Sequence, residues 1–259
     1  MTGRNPGRAA IPQSDLESVR RADALVFVDD LDAPRLEPDD AHHLANVLRL
    51  GEGDLVVASD GAGAHRLCRI ALGVARRGRP GRVRLVRLDP VGTVATSPPP
   101  APPLTVGFAL HKGGRPEWAV ERLTELGVDR IVTFTTARTV VHLDEAGSAR
   151  RGERLRRVAR EAAAQCRRLR LPAIVGPLPY ESVLAGEPTG LAVAEPGAPP
   201  VTAATTCILV GPEGGFTQDE LARASALVGL ADTVLRTETA AVAAGVLLVS
   251  FRAGRARPC

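Results

Sequence analysis

Two short runs in this chain hold the residue types from which ligand sites of α/β proteins are made. The first is Val210-Gly211-Pro212-Glu213-Gly214-Gly215-Phe216-Thr217. It leaves the apolar run Cys207 to Val210 and enters Thr217-Gln218-Asp219-Glu220, which has the spacing of a helix-opening capping box. Glycines at such a junction let backbone approach a ligand closely, and open α/β sheets bind ligands at the carboxyl ends of their strands. A plain Gly-Pro turn accounts for the same letters about equally well. No Gly-Lys-Ser/Thr follows, which excludes a Walker loop, and the spacing is not G-x-G-x-x-G, so a dinucleotide site loses support. The second run is Val234-Leu235-Arg236-Thr237-Glu238-Thr239-Ala240. Capping of the following apolar helix needs only Thr237 or Thr239 and leaves the arginine and the density of polar groups without a reason.

A third cluster is electrostatic. From Arg150 to Arg170 there are nine arginines against Glu153 and Glu161. A solvated helix face is the plain reading. A stripe this one-sided, backed by apolar residues, also suits phosphate contacts. No aromatic side chains interleave, so base stacking by this segment is not indicated.

Composition narrows the classes. Of 259 residues 44% are hydrophobic and 24% charged, which fits a globular chain with a sizeable core. The net charge is +4 and the pI about 9.3; Lys112 is the only lysine. The four cysteines, Cys68, Cys166, Cys207 and Cys259, form no C-x-x-C pair, so neither zinc nor a disulfide framework is expected, and a reducing cytoplasm fits. The first apolar run, Ala24 to Val28, is too short for a secretory signal, and Ala240 to Phe251 is too short to span a bilayer. The expectation is a cytoplasmic protein with no membrane and no metal partner.

The elements that must position these residues fall into two blocks. Residues 1 to about 20 read as a disordered lead. Short strand-like runs follow at Leu25 to Val28, Leu55 to Ala58, Leu67 to Ile70 and Val83 to Leu88, separated by Gly51-Glu52-Gly53-Asp54 and Asp60-Gly61-Ala62-Gly63. A helix opening at Pro38 gives Leu44, Val47 and Leu48 as one apolar face. Together these read as a small β-barrel over 21–96. Ser97 to Pro103 holds five prolines in seven residues and reads as a stiff linker. Beyond it, over 104–259, strands and helices alternate, which implies an α/β domain with a parallel sheet. Its strands are expected at Leu104 to Leu110, Arg130 to Thr135, Leu191 to Ala194, Cys207 to Val210 and Thr233 to Leu235. Its helices are expected from Pro116 to Gly127, over 150–169 with Leu155, Val158, Ala159, Ala162, Cys166 and Leu169 inward, from Thr217, and over Ala240 to Phe251.

Taken in order, the motifs resemble the ribosomal RNA small subunit methyltransferase E family of the SPOUT superfamily. They are His43-Leu44 with Val47-Leu48-Arg49, Gly53-Asp54, Glu125-Leu126-Gly127-Val128, Arg138, Glu161-Ala162-Ala163 with Gln165 and Arg168, Leu171-Pro172, Gly211 to Phe216, and Leu235 to Ala240. They cover residues 24 to 251. Gly-Pro-Glu-Gly-Gly-Phe followed about twenty residues later by Leu-Arg-Thr-Glu-Thr-Ala is the specific part. The resemblance implies a PUA-like N-terminal β-barrel, a C-terminal α/β SPOUT domain tied in a deep trefoil knot, and a homodimer. It also implies S-adenosyl-L-methionine as cofactor and N3 of a uridine in 16S ribosomal RNA, free or in the small ribosomal subunit, as target.

Carried onto this sequence, the cofactor pocket would use Ala194, Glu195, Val210, Gly211, Glu213, Gly214, Gly215, Leu235, Arg236, Thr237, Glu238, Thr239 and Ala240. Methylating an imide nitrogen removes its proton, so a cation near the carbonyls and a proton acceptor are needed. Arg138 and Arg236 are the candidate cations; Glu125, Glu213 and Glu238 are the candidate acceptors, and the sequence does not choose among them. His43, Arg49, Arg154, Arg157 and Arg168 are the candidate RNA contacts. The chain departs from the family pattern at Ala231, where Gly is usual, at Arg122, where Lys is usual, and at Thr139, where Ser is usual. A nucleoside methyltransferase on the same fold and a non-catalytic RNA-binding assembly factor are the alternatives.

Overall fold

The computed structural model describes residues 16–74, 84–110, 115–139, 144–186 and 189–256. Expectations for residues 1–15, Val83, Lys112 and Cys259 lie outside the described residues. The chain forms two compact units, Met1–Pro98 and Pro99–Cys259.

In the first unit a four-stranded sheet runs β1 (Ala24–Phe27), β2 (Leu55–Ser59), β3 (Ala64–Val74), β4 (Arg84–Thr96). β1 lies parallel to β2, and the other pairings are antiparallel. Asp60 builds the β2–β3 turn by accepting from the Ala62 and Ala64 amides at 2.7 and 3.0 Å, as an Asx turn does. Val26, Val56, Ala58, Cys68 and Ile70 form the core with Leu44. Burial pushes the Cys68 thiol up to about 11, so it stays neutral and acts as a small apolar group. Two expectations fail here. The lead is helical over Leu16–Arg21 (α1), because Val19 and Ala22 find a buried place. The apolar face after α2 (Pro38–His42) is also broken. Residues His43–Val47 form a π turn, with the Leu48 amide donating to the His43 carbonyl at 3.0 Å. The extra residue per turn rotates the face: Leu44 is buried while Val47 and Leu48 are 59% and 42% exposed.

The second unit is a six-stranded, wholly parallel sheet between helices. Its strands are β5 (Thr105–Ala109), β6 (Arg130–Thr135), β7 (Ala173–Pro179), β8 (Leu191–Ala194), β9 (Cys207–Val210) and β10 (Leu227–Val228), in the order β10-β8-β9-β5-β6-β7. The chain lays β6 and β7 on one side of β5 and β8 and β9 on the other, which opens a crevice at the strand ends. Helix α3 (Pro116–Leu126) packs against both α4 (Glu145–Cys166) and α7 (Thr237–Arg252). α3 ends at Gly127, whose φ of 95° suits glycine. Asp144 caps α4 by accepting from the Gly147 amide at 2.7 Å. Helices α5 (Tyr180–Gly186) and α6 (Gln218–Ala222) are short.

The expected strand Thr233 to Leu235 does not form. Val234 is 85% exposed there, and the sixth strand is Leu227–Val228, paired with β8. The arginine helix begins earlier and ends earlier than expected, because Arg167 adopts a left-handed conformation (φ 60°) and closes it. Leu155, Ala159 and Ala162 are inward as expected, while Cys166 is exposed.

Candidate functional site

A cavity of about 140 Å³ opens at the carboxyl ends of β8 and β9. Ala194 and Glu195 line it from β8, and Val210, Gly211, Glu213 and Gly215 from the loop after β9. Leu235, Thr237 and Ala240 line it from the start of α7. The Thr237 hydroxyl donates to the Gly211 carbonyl at 2.8 Å. The two motif runs are thus joined by a hydrogen bond, and Thr237 is not the helix cap: Arg236 occupies that position and makes no side-chain cap bond.

Four of the expected cofactor residues lie outside this cavity: Gly214, Arg236, Glu238 and Thr239. Three of them follow from helix geometry. Each residue of α7 turns the side chain by about 100°, so Thr237 and Ala240 share a face that Glu238 and Thr239 do not. Arg236 and Thr239 are exposed. Glu238 faces a smaller hollow beside Phe108, Leu110 and Arg115, where its Oε2 is buried without a hydrogen-bond partner among the described residues. Gly214 turns toward Arg138, whose Cδ would lie 3.6 Å from an added Cβ.

The glycines in the wall are needed for different reasons. A Cβ on Gly211 would stand 2.8 Å from the Phe216 ring, and Gly215 has φ 68°. Phe216 is held from below by Phe134 and Tyr180, with ring centroids 6.4 and 5.1 Å away, so it cannot retreat without disturbing the core. Sequence reasoning missed Pro196, Thr233 and Val234 in the cavity wall, and reached Leu230 and Ala231 only through the departure from the family pattern at Ala231. Thr233 and Val234 gave no signal, because a β-branched run reads as a strand until its pairing is known.

The capping box of α6 is present. Glu220 Oε2 accepts from the Thr217 amide at 2.8 Å, and the Thr217 hydroxyl accepts from the Glu220 amide at 3.2 Å. Arg138 lies in the turn after β6, and its guanidinium donates to the Gly214 carbonyl. Of the two candidate cations, it alone touches the glycine loop. Among the candidate acceptors, Glu125 is engaged by Arg122 at 2.6 Å, whereas Glu213 lines the cavity.

The RNA candidates divide. His43 and Arg49 are exposed on the first unit. Arg154 and Arg157 stand on α4 with side chains 64% and 72% exposed, beside Glu117 and Glu161 at 3.0 and 3.9 Å. Arg168 is a correction. The left-handed Arg167 turns it inward, where it donates to the Thr124 and Val128 carbonyls at 3.0 and 2.7 Å and pairs with Asp129 at 3.2 Å. Asp129 also pairs with Arg252 and accepts from the Leu104 amide at 3.0 Å. Burial lowers the Arg168 pKa and the Asp129 charge opposes that shift. Arg168 ties α4, α3 and β6 together and is withdrawn as an RNA contact.

Among the described residues no group of three potential ligands gathers as a metal site, and no helix is long and apolar enough to cross a membrane. The model of an RNA methyltransferase domain matches residues 98–249, and that of an RNA methyltransferase PUA domain matches residues 36–72. Ribosomal RNA small subunit methyltransferase E of Mycobacterium bovis is 37% identical over 227 residues, 81% of this chain and 83% of that protein. The Bacillus subtilis protein of the same name is 28% identical over 229 residues, 78% and 84% of the two chains. A methyltransferase structure from Legionella pneumophila with bound SAM superposes with a TM-score of 0.70 at 25% identity, covering 86% of this chain and 96% of that one. An rRNA-methyltransferase structure from Porphyromonas gingivalis gives 0.71 at 26% identity, covering 90% and 100%. With a PUA-type first unit, a parallel α/β unit matched by the RNA methyltransferase domain and a cavity built by both specific motifs, the chain belongs to the RNA methyltransferase family that includes ribosomal RNA small subunit methyltransferase E.

Proposed function

We propose that this RNA methyltransferase moves the methyl group of S-adenosylmethionine to N3 of a uridine in 16S ribosomal RNA, working as a cytoplasmic homodimer. The observation that carries the reading is the cavity in which Gly211 and Thr237, one from each motif run, are hydrogen-bonded to each other. Its walls fit the cofactor. Val210, Leu230, Leu235 and Ala240 offer apolar surface for an adenine ring, and Glu195 and Glu213 offer acceptors for hydroxyl or ammonium groups. Gly211 and Gly215 both line the cavity, and neither carries a side chain that would keep a ligand from their backbone. Bound there, S-adenosylmethionine supplies an electrophilic methyl group on a sulfonium.

The rest of the chemistry belongs to the chain. Arg138, at the rim of the glycine loop, brings a fixed cation to where a uracil carbonyl gains charge as N3 loses its proton. The candidate acceptors for that proton are Glu213, which lines the cavity, and Glu238, whose Oε2 is buried without a hydrogen-bond partner among the described residues, while Glu125 is engaged by Arg122. His43 and Arg49 on the first unit, with Arg154 and Arg157 on α4, supply phosphate contacts that fix the RNA. Residues 21–96 form the RNA-binding domain and 104–259 the catalytic one, with the Pro-rich segment between. For the dimer, α7 offers Val242, Val246 and Val249 at helical spacing, with Val246 43% exposed. The test is mass mapping of ribosomal RNA nucleosides from cells with and without the gene. One methylated uridine in the small-subunit RNA should vanish without it. Identical maps overturn the reading, and efficient methylation of free uridine would move the protein to the nucleoside enzymes.

A further inference from the structure

We infer that Glu220 is a positioning residue for Arg138, holding the turn that carries the arginine in register with the glycine loop. This rests on the role given to Arg138 above. A capping box uses one carboxylate oxygen, and Glu220 spends Oε2 on it. Its Oε1 reaches 83 residues back along the chain and accepts from the Ala137 amide at 2.8 Å. Ala137 directly precedes Arg138, and Arg138 in turn donates to the Gly214 carbonyl. The chain thus closes a ring from the glycine loop through the α6 cap and Glu220 to the turn after β6, and back through Arg138 to the glycine loop.

The geometry around Glu220 favours a rigid link. The residue is only 5% exposed, although it is a carboxylate. A buried acceptor satisfied by two backbone amides has a single low-energy placement. Its backbone carbonyl accepts from the Tyr180 hydroxyl at 3.3 Å, which ties the same segment to the aromatic group under Phe216. The far side of the turn is pinned separately: the Thr139 hydroxyl accepts from the Thr136 amide at 2.8 Å. Arg138 is exposed, and its own tie to the glycine loop is the bond to the Gly214 carbonyl. Its place relative to the cofactor loop therefore depends on that bond together with the two that hold its turn. A displacement of about 1 Å in a charge-stabilising group costs about a hundredfold in rate.

Gln at position 220 keeps one acceptor but presents an NH2 where the second amide now donates, so one of the two bonds is lost. The test is a double-mutant cycle of Glu220→Gln and Arg138→Gln, assayed with S-adenosylmethionine and small ribosomal subunits from cells lacking the gene. Arg138→Gln should lower kcat about a hundredfold. Glu220→Gln should lower kcat about tenfold or more with the KM for cofactor nearly unchanged, and the double variant should be no slower than Arg138→Gln alone. If the two losses multiply, or if Glu220→Gln changes KM and spares kcat, Glu220 does not act through Arg138 and the inference falls. Parental kcat in Arg138→Gln would instead remove the role of the arginine itself, and this inference with it. Should Glu220→Gln fail to fold, Thr139→Ala tests the other anchor of the same turn. It should lower kcat in the parent and not in the Arg138→Gln background, and Thr139→Ser, which keeps the hydroxyl, should restore it. A Thr139→Ala enzyme with parental kcat overturns the inference.

Discussion

Gly211 and Gly214 look alike in the sequence and differ in what surrounds them. An added methyl at Gly211 meets a ring that Phe134 and Tyr180 hold in place, while one at Gly214 meets only the flexible stem of Arg138 at 3.6 Å. Overpacking against a fixed ring costs about 1–3 kcal/mol. Gly211→Ala should therefore weaken cofactor binding by about tenfold or more. Gly214→Ala should leave it within about threefold, because a flexible stem yields at little cost. Titration calorimetry on the two variants checks this, and equal losses would mean that the wall of the cavity is not where the cofactor lies. Arg168 teaches the same lesson from the opposite side. It shares its run with the exposed Arg154 and Arg157, yet a left-handed residue before it turns its guanidinium onto two carbonyls and Asp129.

At the scale of elements, α4 carries the charge. Its inward stripe of Leu155, Ala159 and Ala162 leaves Arg154 and Arg157 facing solvent, each beside one carboxylate. Exposed ion pairs of this kind are worth little and do not tie up an arginine. If both contact phosphates, changing them together to Gln should reduce the log–log salt slope of RNA binding by about 1.4 to 1.8. Cofactor affinity should not change, since neither residue lines the cavity. A filter-binding salt series that superposes on the parent would make α4 a solvated face and leave His43 and Arg49 as the RNA track. The periodicity that placed this helix was legible because an apolar stripe repeats every three to four residues. Its end was not, because nothing in the run of arginines marks Arg167 as the left-handed one.

For the whole molecule, the proposed homodimer puts α7 at the contact between copies. Its buried face of Ala241, Ala244, Gly245 and Leu248 packs on the sheet and α3, with Gly245 so close that an added Cβ would stand 2.7 Å from Leu123. That leaves Val246 as an exposed apolar side chain on α7. If α7 forms the proposed contact, a glutamate there would face an apolar surface of the second copy and lose its hydration. Val246→Glu should therefore convert the full-length protein from dimer to monomer in light scattering at micromolar concentration, with its helical content retained. A Val246→Glu protein that remains a dimer would place the interface elsewhere.

The amino-acid sequence by itself determined the buried strands Leu191–Ala194 and Cys207–Val210, the capped start of α6, the close of α3 at Gly127 and the two motif runs. Each of these depends on neighbours a few residues apart. The tertiary structure alone decided that Thr237 bonds Gly211, that Glu220 reaches Ala137, and that Thr233 to Leu235 line a cavity and do not pair as a strand. The physical reason is the strand order. β9 lies beside β5 and β8, and β10 takes the edge next to β8, so segments 26 and 83 residues apart meet at one end of the sheet. No local periodicity carries information about which strand lies next to which.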